Sequence, residues 1–169
     1  MGSDLLSRSA LEAEVAGRRV HLPYAPAAVW IQHHNPLSLI VFHLADPAGQ
    51  DAIRDGVAEG YQAVRDMEQE GRRILGQVVG RKWYQAQKLI SASAGTEVLG
   101  RLLLAGLDPW QRSIGEWCAA TYALHVKGLD QKERAKLDFS LALPPRGAED
   151  EWDDEGSDPE ATMNAMAAW

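Results

Sequence analysis

Apolar residues in this chain recur mostly three and four positions apart, the spacing that lays them along one side of a helix. The clearest run opens at Asp108-Pro109, a side-chain acceptor followed by a residue whose fixed φ suits the first helical position. Trp110, Ile114, Trp117, Thr121 and Leu124 then share a face, widened by Cys118 and Tyr122, until Gly128 stops the run. Asp130 and Glu133 stand at capping-box spacing ahead of a second helix, with Ala135, Phe139 and Ala142 inward and Pro144-Pro145 as its end. So short a link predicts an antiparallel pair, and residues 108–145 read as the scaffold on which the rest is organised.

Upstream, the pattern predicts a first helix over Asp4 to Ala16, with Ser3 as cap and Gly17 as stop. Ser9 and Glu12 offer a second, later start. Arg18 to Ala25 reads as a connector, because Pro23 and Pro26 deny it regular pairing. Ala27 to His34 favours a short helix with Trp30 and Ile31 inward, broken at Asn35-Pro36. Leu37 to Leu44 suits a buried strand or a buried helix, and helix is preferred because no other segment offers a strand partner.

Asp46-Pro47 opens a long amphipathic helix marked by Ile53, Val57, Tyr61, Val64 and Met67, and continued by Ile74, Leu75, Val78 and Val79 to Gly80. Gly56 and Gly60 inside it imply close packing on that face, since each weakens a helix by ~1 kcal/mol relative to Ala. Another helix carries Trp83, Ala86, Ile90 and Ala94. A short one from Thr96 carries Val98, Leu99, Leu102 and Leu103 to Gly106. The expected fold is all-α: one domain of six to seven helices over residues 1–145, followed by a tail from Arg146.

Charge sharpens the division. Residues 149–169 hold eight acids and no Lys or Arg, so removing them from a net −7 leaves the first 148 residues at about +1. Such a tail, 146–169, is predicted to be disordered by itself. Within it Trp152 sits among the acids, and Asp158-Pro159 precedes Met163, Met166 and Trp169 along one or two potential helical turns. A net negative chain argues against nucleic acid as partner. No apolar run approaches the roughly 18 residues that span a bilayer, and no secretory signal is evident at the N-terminus. A single cysteine, Cys118, rules out an internal disulfide and fits a reducing compartment.

The sequence offers no catalytic, cofactor or metal set. His33 and His34 are adjacent and diverge on a helix, while His21, His43 and His125 lack neighbours at ligand spacing. Cys118 and His125 share a helix side, but two turns set their backbones roughly 10 Å apart, too far for a thiol–imidazole nucleophile. Gly76 to Gly80 followed by Arg81-Lys82 lacks the Gly-Lys-Ser/Thr ending of a phosphate loop. The positive signals are for protein contact. Arg72, Arg73, Arg81, Lys82 and Lys88, interleaved with Trp83 and Tyr84, suit an acidic partner or the chain's own tail. Trp30, Trp83, Trp110 and Trp117 are expected in the core. Trp152 and Trp169 have no core to enter and read as recognition residues.

The order Gly80-Arg81-Lys82-Trp83-Tyr84-x-Ala86-x-x-Leu89-Ile90, then Trp117-Cys118-Ala119-Ala120-Thr121-Tyr122-Ala123-Leu124, then a charged helix into Leu143-Pro144-Pro145 and an acidic end, resembles the tail assembly chaperones of actinobacterial long-tailed phages. The likeness covers about residues 70–155, and is looser upstream, through Leu22-Pro23 and Asn35-Pro36-Leu37. Tyr84 stands where the family pattern has a second tryptophan. The resemblance implies a non-enzymatic protein that binds the tape measure protein, keeps it soluble and helps the major tail protein polymerise around it. It also implies a frameshift-extended form of the same chain, of which this would be the short product. Action would be in the host cytoplasm, without cofactor or membrane, and the protein would be absent from the mature virion. The other reading is a different phage interaction protein, such as a head–tail connector or tail completion factor. Candidate partner-binding residues are Trp152, Met163, Met166, Trp169, Arg81, Lys82 and Tyr84.

Overall fold

The computed structural model describes residues 11–146 and 148. They form a β-hairpin and eight helices: β1 Leu11–Val15, β2 Arg18–Leu22, α1 Ala27–His33, α2 Leu37–Leu44, α3 Pro47–Glu59, α4 Gln62–Val79, α5 Trp83–Ser93, α6 Thr96–Leu104, α7 Ile114–Val126 and α8 Gln131–Ala142. The chain divides into two compact units between Thr121 and Tyr122. The expected tail falls outside the described residues apart from Arg146 and Ala148. No helix among the described residues is long and apolar enough to cross a membrane.

The hairpin corrects the expected first helix. Leu11–Val15 and Arg18–Leu22 alternate strictly, and Ala13, Val15, Val20 and Leu22 are buried while Glu12, Glu14, Arg19 and His21 face solvent. The strands pair antiparallel, with Ala13 opposite Val20 and Val15 opposite Arg18. Ala16 and Gly17 join them with both φ positive, 51° and 72°, the requirement of a tight I′ turn. Alanine tolerates that conformation poorly, and two anchors hold it there. Ala16 N–H donates to Asp66 Oδ2 at 2.8 Å, and its Cβ packs over Gly56, where an added Cβ would lie 3.0 Å away. Close packing at Gly56 is thus as expected, whereas Gly60 faces open space.

Two further edge groups of β1 are also met by α4. Glu14 N–H donates to Glu70 Oε2 at 3.2 Å, and Arg73 Nη2 donates to Glu12 O at 2.8 Å. Asp66, Glu70 and Arg73 therefore rise at helical spacing along a strand edge that would otherwise stand open to pairing. On the other side, Asp46 N–H donates to His21 O.

The helix α4 organises the first unit, packing on α2, α5, β1 and α3. Its buried face runs Ala63, Met67, Gly71, Ile74, Leu75 and Val78. At Gly71 the backbone of α2 comes so near that an added Cβ would lie 2.6 Å from Leu37 O. Leu37–Leu44 is helix, burying Leu37, Ile40, Val41 and Leu44. The long helix expected from Pro47 to Val79 is two. Gly60, at φ 154°, breaks it and shifts the phase between the two halves, so Val57, Tyr61 and Val64 point outward instead of inward.

The stretch Asp108–Arg112 also departs from expectation. Asp108 Oδ1 accepts from Trp110 N–H as in a turn, and α7 begins only after Ser113, whose reciprocal bonds with Glu116 form the capping box. This turn serves α1 instead. Pro109 O and Arg112 O accept from Ala28 N–H and Ala27 N–H, satisfying first-turn donors that Pro26 cannot cap. Inside the first unit Trp117 is wholly buried, its Nε1–H donating to Ser93 Oγ at 2.8 Å while Ser93 donates to Ile90 O.

In the second unit Gly128, at φ 86°, ends α7, and Asp130 with Glu133 caps α8 as the spacing predicted. Tyr122 Oη donates to Asp138 Oδ1 at 2.6 Å, tying the last turns of α7 to α8 across the reversal. Ala135 is exposed and Phe139 half-buried; Leu141 is the buried side chain of α8.

Candidate functional site

Two surfaces of the first unit gather the side chains suited to a partner. The first lies where α4 turns into α5. Gly80 takes the left-handed conformation, φ 68°, and sends Arg81 and Lys82 into solvent just before Trp83 opens α5. Arg72 lays its guanidinium 4.5 Å from the Trp83 ring centroid and pairs with Glu68 at 2.8 Å. Trp83 is half-buried beneath it, not in the core as expected. Its ring meets Tyr84 edge-on at 5.7 Å.

Of the sequence-predicted contact residues, Arg81 and Lys82 share this corner. Tyr84 does not, because its side chain is only 4% exposed and packs inward from the first turn of α5. Lys88 rides over the Tyr84 ring at 5.9 Å, and burial of its ammonium lowers its pKa. Arg73 leaves the cluster altogether for Glu70, at 2.7 Å, and β1; the Glu70 bond raises its pKa. The five-cation cluster of the sequence is therefore a smaller ridge of Arg72, Arg81, Lys82 and Lys88. Trp152, Met163, Met166 and Trp169 lie outside the described residues.

The second surface was missed in the sequence. Leu104, at the end of α6, is 91% exposed, Leu103 about half exposed, and Trp110 64% exposed in the turn beyond it. Of the aliphatic residues of α6 only Leu102 is buried. A signal existed: Leu102, Leu103 and Leu104 are consecutive, and three successive residues sweep about 200° of a helix, more than one packed face can cover. Trp110 was read as inward because the helix was started too early.

Burial pushes the Cys118 thiol up to about 12 against the opposing charge of Arg81, so no thiolate forms near neutrality. Among the described residues no group of three or more His, Cys, Asp or Glu side chains could hold a metal ion. A shallow cleft of about 260 Å³ is lined by Glu14, Asp66, Gln69 and Glu70, but both Asp66 and Glu70 already accept backbone N–H groups of the hairpin. Compared with known proteins, the chain matches no family model, no curated protein and no solved structure.

Proposed function

We propose that this protein is a tail assembly chaperone of a long-tailed phage, holding apolar helical segments of the tape measure protein until the major tail protein encloses them. One observation carries the reading furthest: Leu103, Leu104 and Trp110, all exposed, are presented to solvent within one short stretch of the first unit. Apolar side chains so placed cost solubility unless a partner covers them, and tryptophan is the side chain most enriched at binding hot spots. An amphipathic helix is the natural occupant of such a surface. The ridge of Arg81 and Lys82 adds electrostatic steering toward acidic partners, worth more in association rate than in affinity. Weak contacts repeated along a long target suit handover, because many modest sites are stripped more easily than one tight one.

The test is co-expression with the tape measure protein of the same phage. Wild-type chain should raise the soluble fraction of that protein and co-purify with it, and Leu104→Asp with Trp110→Ala should lose both effects while keeping the native circular dichroism spectrum. No change in solubility or co-purification with the wild type would reject the reading. Finding the chain stoichiometrically in purified particles would favour a connector or completion factor instead.

A further inference from the structure

The imidazoles of His33 and His43 stack at the corner between α1 and α2, with ring centroids 3.7 Å apart and planes 22° from parallel. Each belongs to the last turn of its helix, where the carbonyl end favours a cation. Protonating both would set two positive rings face to face.

His43 is exposed to water, but the side chains around the stack offer little to neutralise that second charge, and Asp46, three residues on, accepts from Gly49 N–H. None of α1, α2 and α5 carries an Asp or Glu, and the one charged side chain of α5 is Lys88, a cation. His34 is committed elsewhere, with Nδ1 on Ile31 O at 2.8 Å and Nε2 on Ser91 Oγ at 2.9 Å. From α3, Arg54 reaches to 5.2 Å from the Phe42 ring, which meets His43 edge-on; Asp51 pairs with Arg54, Glu59 with Arg18, and Asp55 is exposed. The carboxylates of α4 are also engaged: Asp66 by Ala16 N–H and Gln62, Glu68 by Arg72, Glu70 by Arg73 and Glu14 N–H.

We infer that the His33–His43 stack is a proton-operated latch, tying α1 to α2 while it carries at most one proton and parting them when it takes two. Such a latch would operate whether or not the chain is a chaperone. Burial, and then the facing His43, lower the pKa of His33, in keeping with the geometry. A folded-state value below the unfolded 6.5 means the unfolded chain binds the proton first, so the contribution is intact above pH 6.5 and is lost as pH falls through the folded value.

The experiment is an NMR titration of the histidine rings of the full chain from pH 8 to 5, with amide exchange measured along α1 and corrected for intrinsic rates. The His33 ring should titrate with its midpoint below 6.5. Protection over Ala27–His33, relative to α4, should fall about tenfold for each unit of that displacement. His43→Phe keeps an aromatic stack without the second charge, so it should raise the His33 midpoint and abolish the fall; if that variant lacks α1 protection at pH 7, His33→Phe decides in its place. A His33 midpoint that is not lowered from 6.5, or an unchanged loss of α1 protection in the phenylalanine variant, would overturn the latch.

Discussion

Helices α4 and α6 lie a short way apart in the chain and use their apolar residues in opposite ways. The longer α4 is rich in charge, yet Met67, Ile74, Leu75 and Val78 are all buried, and apart from Val64 its exposed positions are held by Arg, Glu and Gln. By composition α6 is the more apolar, with Val98, Leu99, Leu102, Leu103 and Leu104 among its nine residues, and it buries Leu102 alone. Hydrophobic content therefore says less about burial than arrangement does. A single apolar stripe can be covered by the chain's own neighbours, whereas a helix whose apolar residues spread beyond one stripe, as Leu102 to Leu104 do beside the Glu97–Arg101 pair, leaves part of itself for something else to cover.

The sharpest way to test this contrast is to truncate one leucine on each helix. Leu75 is fully buried, so Leu75→Ala removes its transfer free energy and leaves a cavity, and should cost about 3 kcal/mol in urea-denaturation stability. A loss under about 1 kcal/mol would mean that the unit around α4 is loosely packed, and the comparison would fail at its firmer end.

Much of the helical architecture was legible in the sequence, for reasons that can be located. Asp130 with Glu133 marked the start of α8, and Asn35-Pro36 marked the break after α1, because capping and proline chemistry act locally. The hairpin was hidden by its turn. Ala16 is a poor residue for positive φ, and it is held there by Asp66 and by space over Gly56, both remote in sequence. The phase break at Gly60 was hidden differently, since the apolar spacing continues through it and only the orientation changes. Of the candidate site, Arg81 and Lys82 were readable as exposed cations, while Tyr84 and Trp83 each lay on a different face from the one expected. A boundary error of a few residues is enough to turn a side chain inside out, as Trp110 shows.

Two glycines probe the same contrast with a smaller change. Gly71→Ala on α4 would drive a methyl group to within 2.6 Å of Leu37 O, a backbone atom with no freedom to swing aside. The helix-propensity gain of ~1 kcal/mol cannot offset overpacking of up to ~3 kcal/mol, so a net loss of about 2 kcal/mol is expected. Gly100→Ala on α6 meets nothing within 4 Å, and should stabilise the protein by about 1 kcal/mol. Thermal melts of the two variants should therefore move in opposite directions. A fall in both would show that α6 is packed as closely as α4, and a rise in both that α4 has room at Gly71.

The smallest expected effect on stability is also the most informative about function. Leu104→Gln leaves helix propensity nearly unchanged and touches a side chain that is 91% exposed, so the folded state loses almost no buried area. Its unfolding free energy should stay within about 0.5 kcal/mol of wild type. If Leu104 is an anchor for an apolar partner helix, the same substitution must weaken capture of that partner, because the contact exists only in the complex. The two measurements together separate the possibilities. A variant equally stable and equally competent in binding would make the exposed end of α6 an incidental patch, and the search for the binding surface would move to the ridge of Arg72, Arg81 and Lys82. A variant that loses stability by more than about 1 kcal/mol would mean that Leu104 is packed in solution, and that α6 resembles α4 after all.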